Sequence, residues 1–254
     1  MEGDDSGGIF GSVAVTFSGN GGSDSFGGGF GNDTFYGGIG SDRGNGGEGN
    51  DLLFGDLDDD RLNGELGDDT LFGGPGDDIL GEQGISGGDN LLFGGQGNDL
   101  LSGSLGNDFL SGDTDNDDIE GSQGNDTLIG GIGFDLLTGG FRAITSTGDE
   151  VQDVFVVEVN DEFDLVADFE DGIDKLGLPE GVVFEELLIT QLGNEAIVLN
   201  QQPELGWANE STDIAIKLAA TGQVLTVLNA NVGDDPTLPL LNAAQITRED
   251  FINL

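Results

Sequence analysis

Between Gly19 and Thr138 a large apolar residue returns every nine positions, alone among polar and glycine-rich neighbours. Phe26, Phe35, Leu53, Leu62, Leu71, Leu80, Leu92, Leu101, Leu110, Ile119, Leu128 and Leu137 keep this beat, and Gly44 misses it. The phase slips once, by three residues, at Glu82-Gln83-Gly84. A fixed short period marks a stacked architecture, in which each unit buries its apolar residue only against its neighbours.

Thirteen frames of nine fill this block, counted from a first residue that is usually glycine. The apolar residue is then position 8. Positions 7–9 predict a short strand with only position 8 pointing inward, and the other six read as turn. Two frames make one coil with a strand on each side, and stacked coils line up position 8 as a thin core. Helix is disfavoured, because each glycine costs about 1 kcal/mol there relative to alanine.

Position 6 carries the chemistry. It is Asp24, Asp33, Asp42, Asp51, Asp60, Asp69, Asp78, Asp99, Asp108, Asp117, Asp126 and Asp135, with Asn90 the one replacement. Strands stack at ~4.8 Å, where neighbouring carboxylates repel by roughly 3 kcal/mol per pair at an effective dielectric near 20. A cation between them relieves this. Carboxylate and backbone carbonyl oxygens in glycine-rich loops are hard ligands in a relaxed frame, which favours Ca²⁺ over Mg²⁺.

Composition agrees. Fifty acidic residues face six basic ones, for a net charge of -44. Such a chain repels nucleic acid and anionic membranes and attracts cations. It has no histidine and no cysteine, which excludes Ser-His-Asp and Cys-His catalysis, disulfides, and zinc sites with nitrogen and sulfur ligands. No apolar run approaches a membrane span. Asp56-x-Asp58-x-Asp60 and Asp113-x-Asp115-x-Asp117 start like EF-hand loops but lack the glycine and the bidentate glutamate that must follow. Gly84-Ile85-Ser86-Gly87-Gly88 has the letters of a nucleophile elbow, with no histidine to act as base.

The phrase resembles the RTX, or hemolysin-type calcium-binding, repeat G-G-x-G-x-D-x-U-x. The resemblance spans residues 19–138, almost half of the chain. It implies an all-β parallel β-roll with Ca²⁺ ions between loops of adjacent coils on the same side. Frame n then pairs with frame n+2, giving at most about eleven inter-loop sites. The implied ligands are the position-6 carboxylates and the carbonyls of loop glycines. The cleanest loops are Gly29/Gly31/Asp33, Gly38/Gly40/Asp42, Gly47/Gly49/Asp51, Gly74/Gly76/Asp78, Gly95/Gly97/Asp99 and Gly131/Gly133/Asp135. Departures mark particular sites: Asn90 lacks a charge and sits just past the insertion, and Asp56 and Asp58, like Asp113 and Asp115, replace glycine at positions 2 and 4, so those last two frames are expected to bind differently or to stay empty.

Positions 7 and 9 point outward, and even and odd frames fall in opposite sheets. The even frames bring Tyr36, Phe54, Phe72 and Phe93 into one ladder, while the odd face is mostly polar. A contiguous apolar surface of this kind expects a cover: the C-terminal region, a second copy of the chain, or another part of a larger assembly.

Residues 1–18 read as an N-terminal cap with a strand at Val13–Phe17, and Phe17 keeps the phase of position 8. The roll is expected to decay from residue 139 and to end near 156, giving a roll over 19–156 and a β-rich C-terminal cap over 157–254. Strand runs are expected at Val154–Val159, Phe163–Phe169, Val182–Thr190, Glu195–Leu199, Asp213–Leu218 and Val224–Leu228. Residues 167–179 look like the segment that follows the repeats in many family members, and Asp153, Asp168 and Asp174 are candidate ligands for a final ion. The end, Arg248-Glu249-Asp250-Phe251-Ile252-Asn253-Leu254, is similar to uncleaved type I export signals. The expectation is a secreted, non-enzymatic calcium-binding protein. The alternatives are the folding and export end of a larger enzyme or toxin and, with only Thr34, Thr70, Thr127 and Thr138 on outward positions, an ice-binding or adhesive roll.

Overall fold

Each frame contributes one strand, and consecutive strands fall in opposite sheets. A computed structural model describes residues 6–81, 87–140, 151–159, 164–169, 173–178, 182–191, 214–218, 224–228 and 246–253. One sheet runs β1 (Ser6–Gly11), β3 (Ser25–Phe30), β5 (Arg43–Glu48), β7 (Arg61–Leu66), β9 (Ile79–Gly81), β11 (Leu100–Leu105), β13 (Asp118–Gln123), β15 (Leu136–Thr138), β17 (Asp164–Val166), β21 (Val224–Leu228), β20 (Ile214–Leu218) and β19 (Leu187–Gln191). The other runs β2 (Thr16–Gly21), β4 (Thr34–Ile39), β6 (Leu52–Leu57), β8 (Thr70–Pro75), β10 (Leu91–Gln96), β12 (Phe109–Thr114), β14 (Thr127–Ile132), β16 (Val154–Val156), β18 (Lys175–Leu178) and β22 (Phe251–Asn253). Pairing is parallel except where β21, β20 and β19 close the odd sheet as an antiparallel trio. The fold is all-β, a parallel β-roll.

Like positions pair with like. Phe35 lies opposite Leu53, and Leu53 opposite Leu71. Across the three extra residues Leu71 still meets Leu92 and Phe72 still meets Phe93, so the insertion lengthens a connection without exchanging the faces.

Most strands in the block have six residues rather than the three expected. The chain bends at position 2 into the left-handed region, and position 3 then rejoins the ladder: Gly38 pairs with Asp56, and Ile39 with Leu57. The true turn is therefore only positions 4–6. At its start the position-4 N–H donates to a position-3 carbonyl of the next coil, as Gly22 does to Ile39 at 2.8 Å.

Every position-8 side chain from Phe26 to Leu137 is buried. Gly44 leaves no void, because the Phe35 ring from the opposite sheet fills the space beside it. Phe17 continues this core, its ring 5.5 Å from Phe26 and 5.9 Å from Phe35. β1 precedes the strand expected at Val13–Phe17, and that strand, β2, is displaced. It covers Thr16–Gly21, and Val13 is exposed, since the ladder partners of β4 begin at Thr16.

Beyond Thr138, β16, β18 and β22 extend the even sheet and β17 the odd one. The run at Val182–Thr190 is a strand only from Leu187, preceded by a 3₁₀ turn at Phe184–Glu186. Lys175–Leu178 adds a strand outside the expected runs. The run at Glu195–Leu199 lies outside the described residues. Arg248 donates to Glu185, tying the final 3₁₀ turn to the earlier one.

On the even sheet the rings of Tyr36, Phe54, Phe72 and Phe93 stack in one column, with centroids 5.0, 5.1 and 5.0 Å apart. Phe109 adds a tilted ring at 5.7 Å. The described C-terminal strands lengthen the sheets instead of lying across this column.

Candidate metal sites

The turns carry position 6 in two files, one along each edge of the roll. Each aspartate is buried. Its Oδ1 accepts the backbone N–H of the position-6 residue one coil earlier. Along one edge Asp24 donates to Asp42, Asp42 to Asp60, Asp60 to Asp78, Asp78 to Asp99, Asp99 to Asp117 and Asp117 to Asp135, at 2.6–2.8 Å. Along the other, Asp33 donates to Asp51 and Asp51 to Asp69, then Asn90 and Asp108 follow, and Asp108 donates to Asp126. The second file runs on: Asp126 donates to Asp153 and Asp153 to Asp174, at 2.8 and 3.0 Å.

The other carboxylate oxygen is left over. Oδ2 of Asp33, Asp42, Asp51, Asp60, Asp69, Asp78, Asp99, Asp108 and Asp117 is buried and accepts no hydrogen bond. A buried anionic oxygen without a partner is costly. Each of these atoms faces the first residue of its own frame. A Cβ on Gly28 would overlap both Asp33 Oδ2 and the Gly46 carbonyl oxygen, and one on Gly37 would overlap Asp42 Oδ2 and the Gly55 carbonyl. Position 1 is glycine because a carboxylate and a carbonyl converge on the space a side chain would take.

Positions 2 and 4 aim further carbonyls along the stack. The Asn20 carbonyl oxygen points at Gly38 and the Gly22 carbonyl at Gly40. Where glycine is replaced the backbone keeps its shape: φ is 77° at Asp56, 73° at Asp58, 79° at Asp113 and 78° at Asp115. Their carbonyls meet Gly74, Gly76, Gly131 and Gly133 as the glycine carbonyls do elsewhere. Aspartate tolerates this left-handed conformation better than most residues. The carbonyl frame of these two repeats therefore matches that of the others.

Burial dominates the electrostatics. It pushes the carboxyls of Asp51 and Asp78 up to about 6, Asp69 and Asp99 to about 7, and Asp60, Asp108 and Asp117 to about 8. The backbone N–H bond to each lowers it in part, and like charges in the file raise it again. Asp164 is raised well above the usual range by burial and then by Asp135 beside it. No basic side chain is among the groups that act on Asp60, Asp108 or Asp117. Among the described residues no three acidic side chains converge on one point; each space has a carboxylate oxygen and main-chain carbonyls. That donor set, all oxygen and mostly neutral, fits a hard divalent cation.

The structure thus brings the position-6 aspartates and the loop glycines Gly29, Gly31, Gly38, Gly40, Gly47, Gly49, Gly74, Gly76, Gly95, Gly97, Gly131 and Gly133 to the two edges. Asp153 and Asp174 join one file, while Asp168 stands apart and accepts the N–H groups of Gly139 and Gly140, both at 2.8 Å. Two features escaped the sequence reading. Asp164 occupies the position-6 register, since the next residue, Leu165, pairs with Leu136. Position 5 forms an exposed file of its own, with Asn50 N–H donating to Asn32 Oδ1 and Asp68 N–H to Asn50 Oδ1. Its signal was present, because position 5 is Asn or Asp in ten frames.

Set beside known proteins, the chain matches the RTX calcium-binding nonapeptide repeat in four copies, over residues 16–44, 45–80, 85–119 and 120–141. No curated protein matches it. Period, roll and carboxylate files coincide over the same residues, and the stretch 16–141 is made of RTX calcium-binding nonapeptide repeats.

Proposed function

We propose that this protein is a secreted calcium-binding roll that folds on binding several Ca²⁺ ions, with a structural or interaction role. The observation that carries the reading is the set of buried Oδ2 atoms, from Asp33 to Asp117, that accept no hydrogen bond. Those oxygens and the carbonyls of positions 1, 2 and 4 would hold the ions. Bound calcium supplies the positive charge that lets the aspartates stay ionised while buried. The chain's own residues position the oxygens: the N–H bond to Oδ1 fixes each carboxylate, and the left-handed turns fix the carbonyls.

Self-repulsion at a net charge of -44 keeps the calcium-free chain expanded. Calcium is ~mM outside cells, where extracellular modules bind at ~10⁻⁴–10⁻³ M. Binding energy then becomes folding energy, because the site forms only with the fold. A structural role is supported by the repeat itself, whose positions are taken up by core, ion ligands and sheet surface. Circular dichroism above about pH 8, where the buried carboxyls are ionised, tests the reading: calcium should produce the β signal and excess EGTA abolish it. A chain equally folded in EGTA overturns it.

A further inference from the structure

The file that starts at Asp33 contains one side chain that is not a carboxylate. Asn90 is buried, like its neighbours. Its Oδ1 accepts the Asp69 N–H at 3.0 Å, and its own N–H donates to Asp108 Oδ1 at 2.7 Å, so it keeps every main-chain tie of the file. The difference lies at the second atom of the side-chain head. Its Nδ2 donates to the Gly103 carbonyl at 3.3 Å. In the carboxylate frames the equivalent atom is Oδ2, and it faces the equivalent carbonyl: Asp33 faces Gly46, and Asp42 faces Gly55.

Two oxygens facing each other need a cation or a proton between them, whereas an amide nitrogen facing a carbonyl needs neither. The orientation of the amide is fixed, because Oδ1 is held by a donor and Nδ2 by an acceptor. The sequence adds an independent sign. The frame of Asn90 is the one whose first residue is not glycine but Ile85, so the residue type that leaves room elsewhere is absent. We infer that Asn90 is a built-in neutral substitute for an ion: the position between Asn90 and Gly103 takes no calcium. The ions along that edge fall into two runs, separated by a joint held by a hydrogen bond.

This inference rests on the calcium reading, and the test separates the two. Calcium bound per chain is counted by native mass spectrometry for the wild type, N90D/I85G and N90A. Anomalous diffraction from wild-type crystals grown in calcium locates the ions. The inference expects one more ion in N90D/I85G than in the wild type and an unchanged count in N90A. It also expects anomalous peaks beside Asp51 and Asp108 but none between Asn90 and Gly103. A peak at Asn90, a lost ion in N90A, or equal counts in wild type and N90D/I85G overturns it. A wild type that binds no calcium overturns the calcium reading instead.

Discussion

The rings of Phe54 and Phe72 lie parallel, with centroids 5.1 Å apart and planes 6° apart, at paired positions of β6 and β8. Phe72 has a second such neighbour in Phe93, at 5.0 Å and 9°. The rings turn their faces to one another, so the column covers much of its own apolar area. Each stacked pair is worth about 0.5–1.5 kcal/mol beyond burial. Phe72→Ala removes two pairs and should destabilise the calcium-loaded roll by about 1–3 kcal/mol, read from denaturant unfolding. A loss below the error of the fit means the column is ornamental to stability.

The first-position glycines should be the least replaceable residues of the repeat. A methyl group on Gly28 would overlap Asp33 Oδ2 and the Gly46 main chain. Overpacking of this sort costs about 1–3 kcal/mol, and Gly28→Ala should raise the calcium concentration needed for folding. Gly27, one residue earlier, has open space where a methyl group would stand, with nothing within 4 Å. Gly27→Ala should stay within about 0.5 kcal/mol of the wild type. Equal calcium midpoints for the two variants would show that the space beside Asp33 is not a ligand site.

Without calcium, acid should favour the fold. Burial raises the folded-state pKa of Asp51 and Asp78 to about 6 and of Asp60, Asp108 and Asp117 to about 8, all from an ordinary value of 3.8. A raised folded pKa means the folded state binds the proton more tightly than the unfolded one. The resulting stability is fully present below the unfolded pKa and is lost as pH rises through the folded value. In EGTA, β structure measured by circular dichroism should therefore increase on acidification and disappear between about pH 6 and 8. Calcium should abolish this dependence near neutrality and release protons as it binds. A calcium-free chain more folded at pH 8 than at pH 5 would contradict the burial argument.

The position-5 file should matter much less than the position-6 file. Asn50 Oδ1 accepts the Asp68 N–H at 3.2 Å and Nδ2 donates to Asp68 Oδ2 at 3.3 Å, while the Asn50 main-chain N–H donates to Asn32 at 3.1 Å; the residue is exposed. Asn50→Ala removes the two side-chain bonds to Asp68 and should cost no more than about 1–3 kcal/mol, twice the net value of an ordinary hydrogen bond, and leave the number of bound ions unchanged. Asp51→Ala, next in sequence but buried, should lower the ion count. Native mass spectrometry of the two variants decides between the files.

The period of nine made most of this legible. Position 8 gave the core, position 6 the carboxylate files, and frame parity placed Tyr36, Phe54, Phe72 and Phe93 on one sheet. What escaped it shares one physical cause. Strand pairing fixes spatial register but leaves loop length open, so a register partner need not stay in phase. Asp153 keeps the beat of nine, yet Asp126 bonds it across 27 residues, three frames where two make a coil, and Leu136 pairs with Leu165 across a gap no periodicity predicts. Asp164 could be assigned to position 6 only from that pairing. The six-residue strands escaped for a different reason. Glycines at positions 1 and 2 read as turn, yet the main chain after them returns to the ladder.

Because alternate frames lie in opposite sheets, the frame is not the unit by which this chain can be lengthened or shortened. Inside the regular block, removing one frame such as residues 46–54 would carry the frames after it across the roll relative to those before it. The aromatic column would break, and Arg43 and Arg61, now paired across β5 and β7, would fall on opposite faces. Removing eighteen would subtract one complete coil and leave each remaining side chain on its own face. Within the regular block the heritable module is the pair of phrases, and gain or loss of repeats there is silent for surface chemistry only in even numbers.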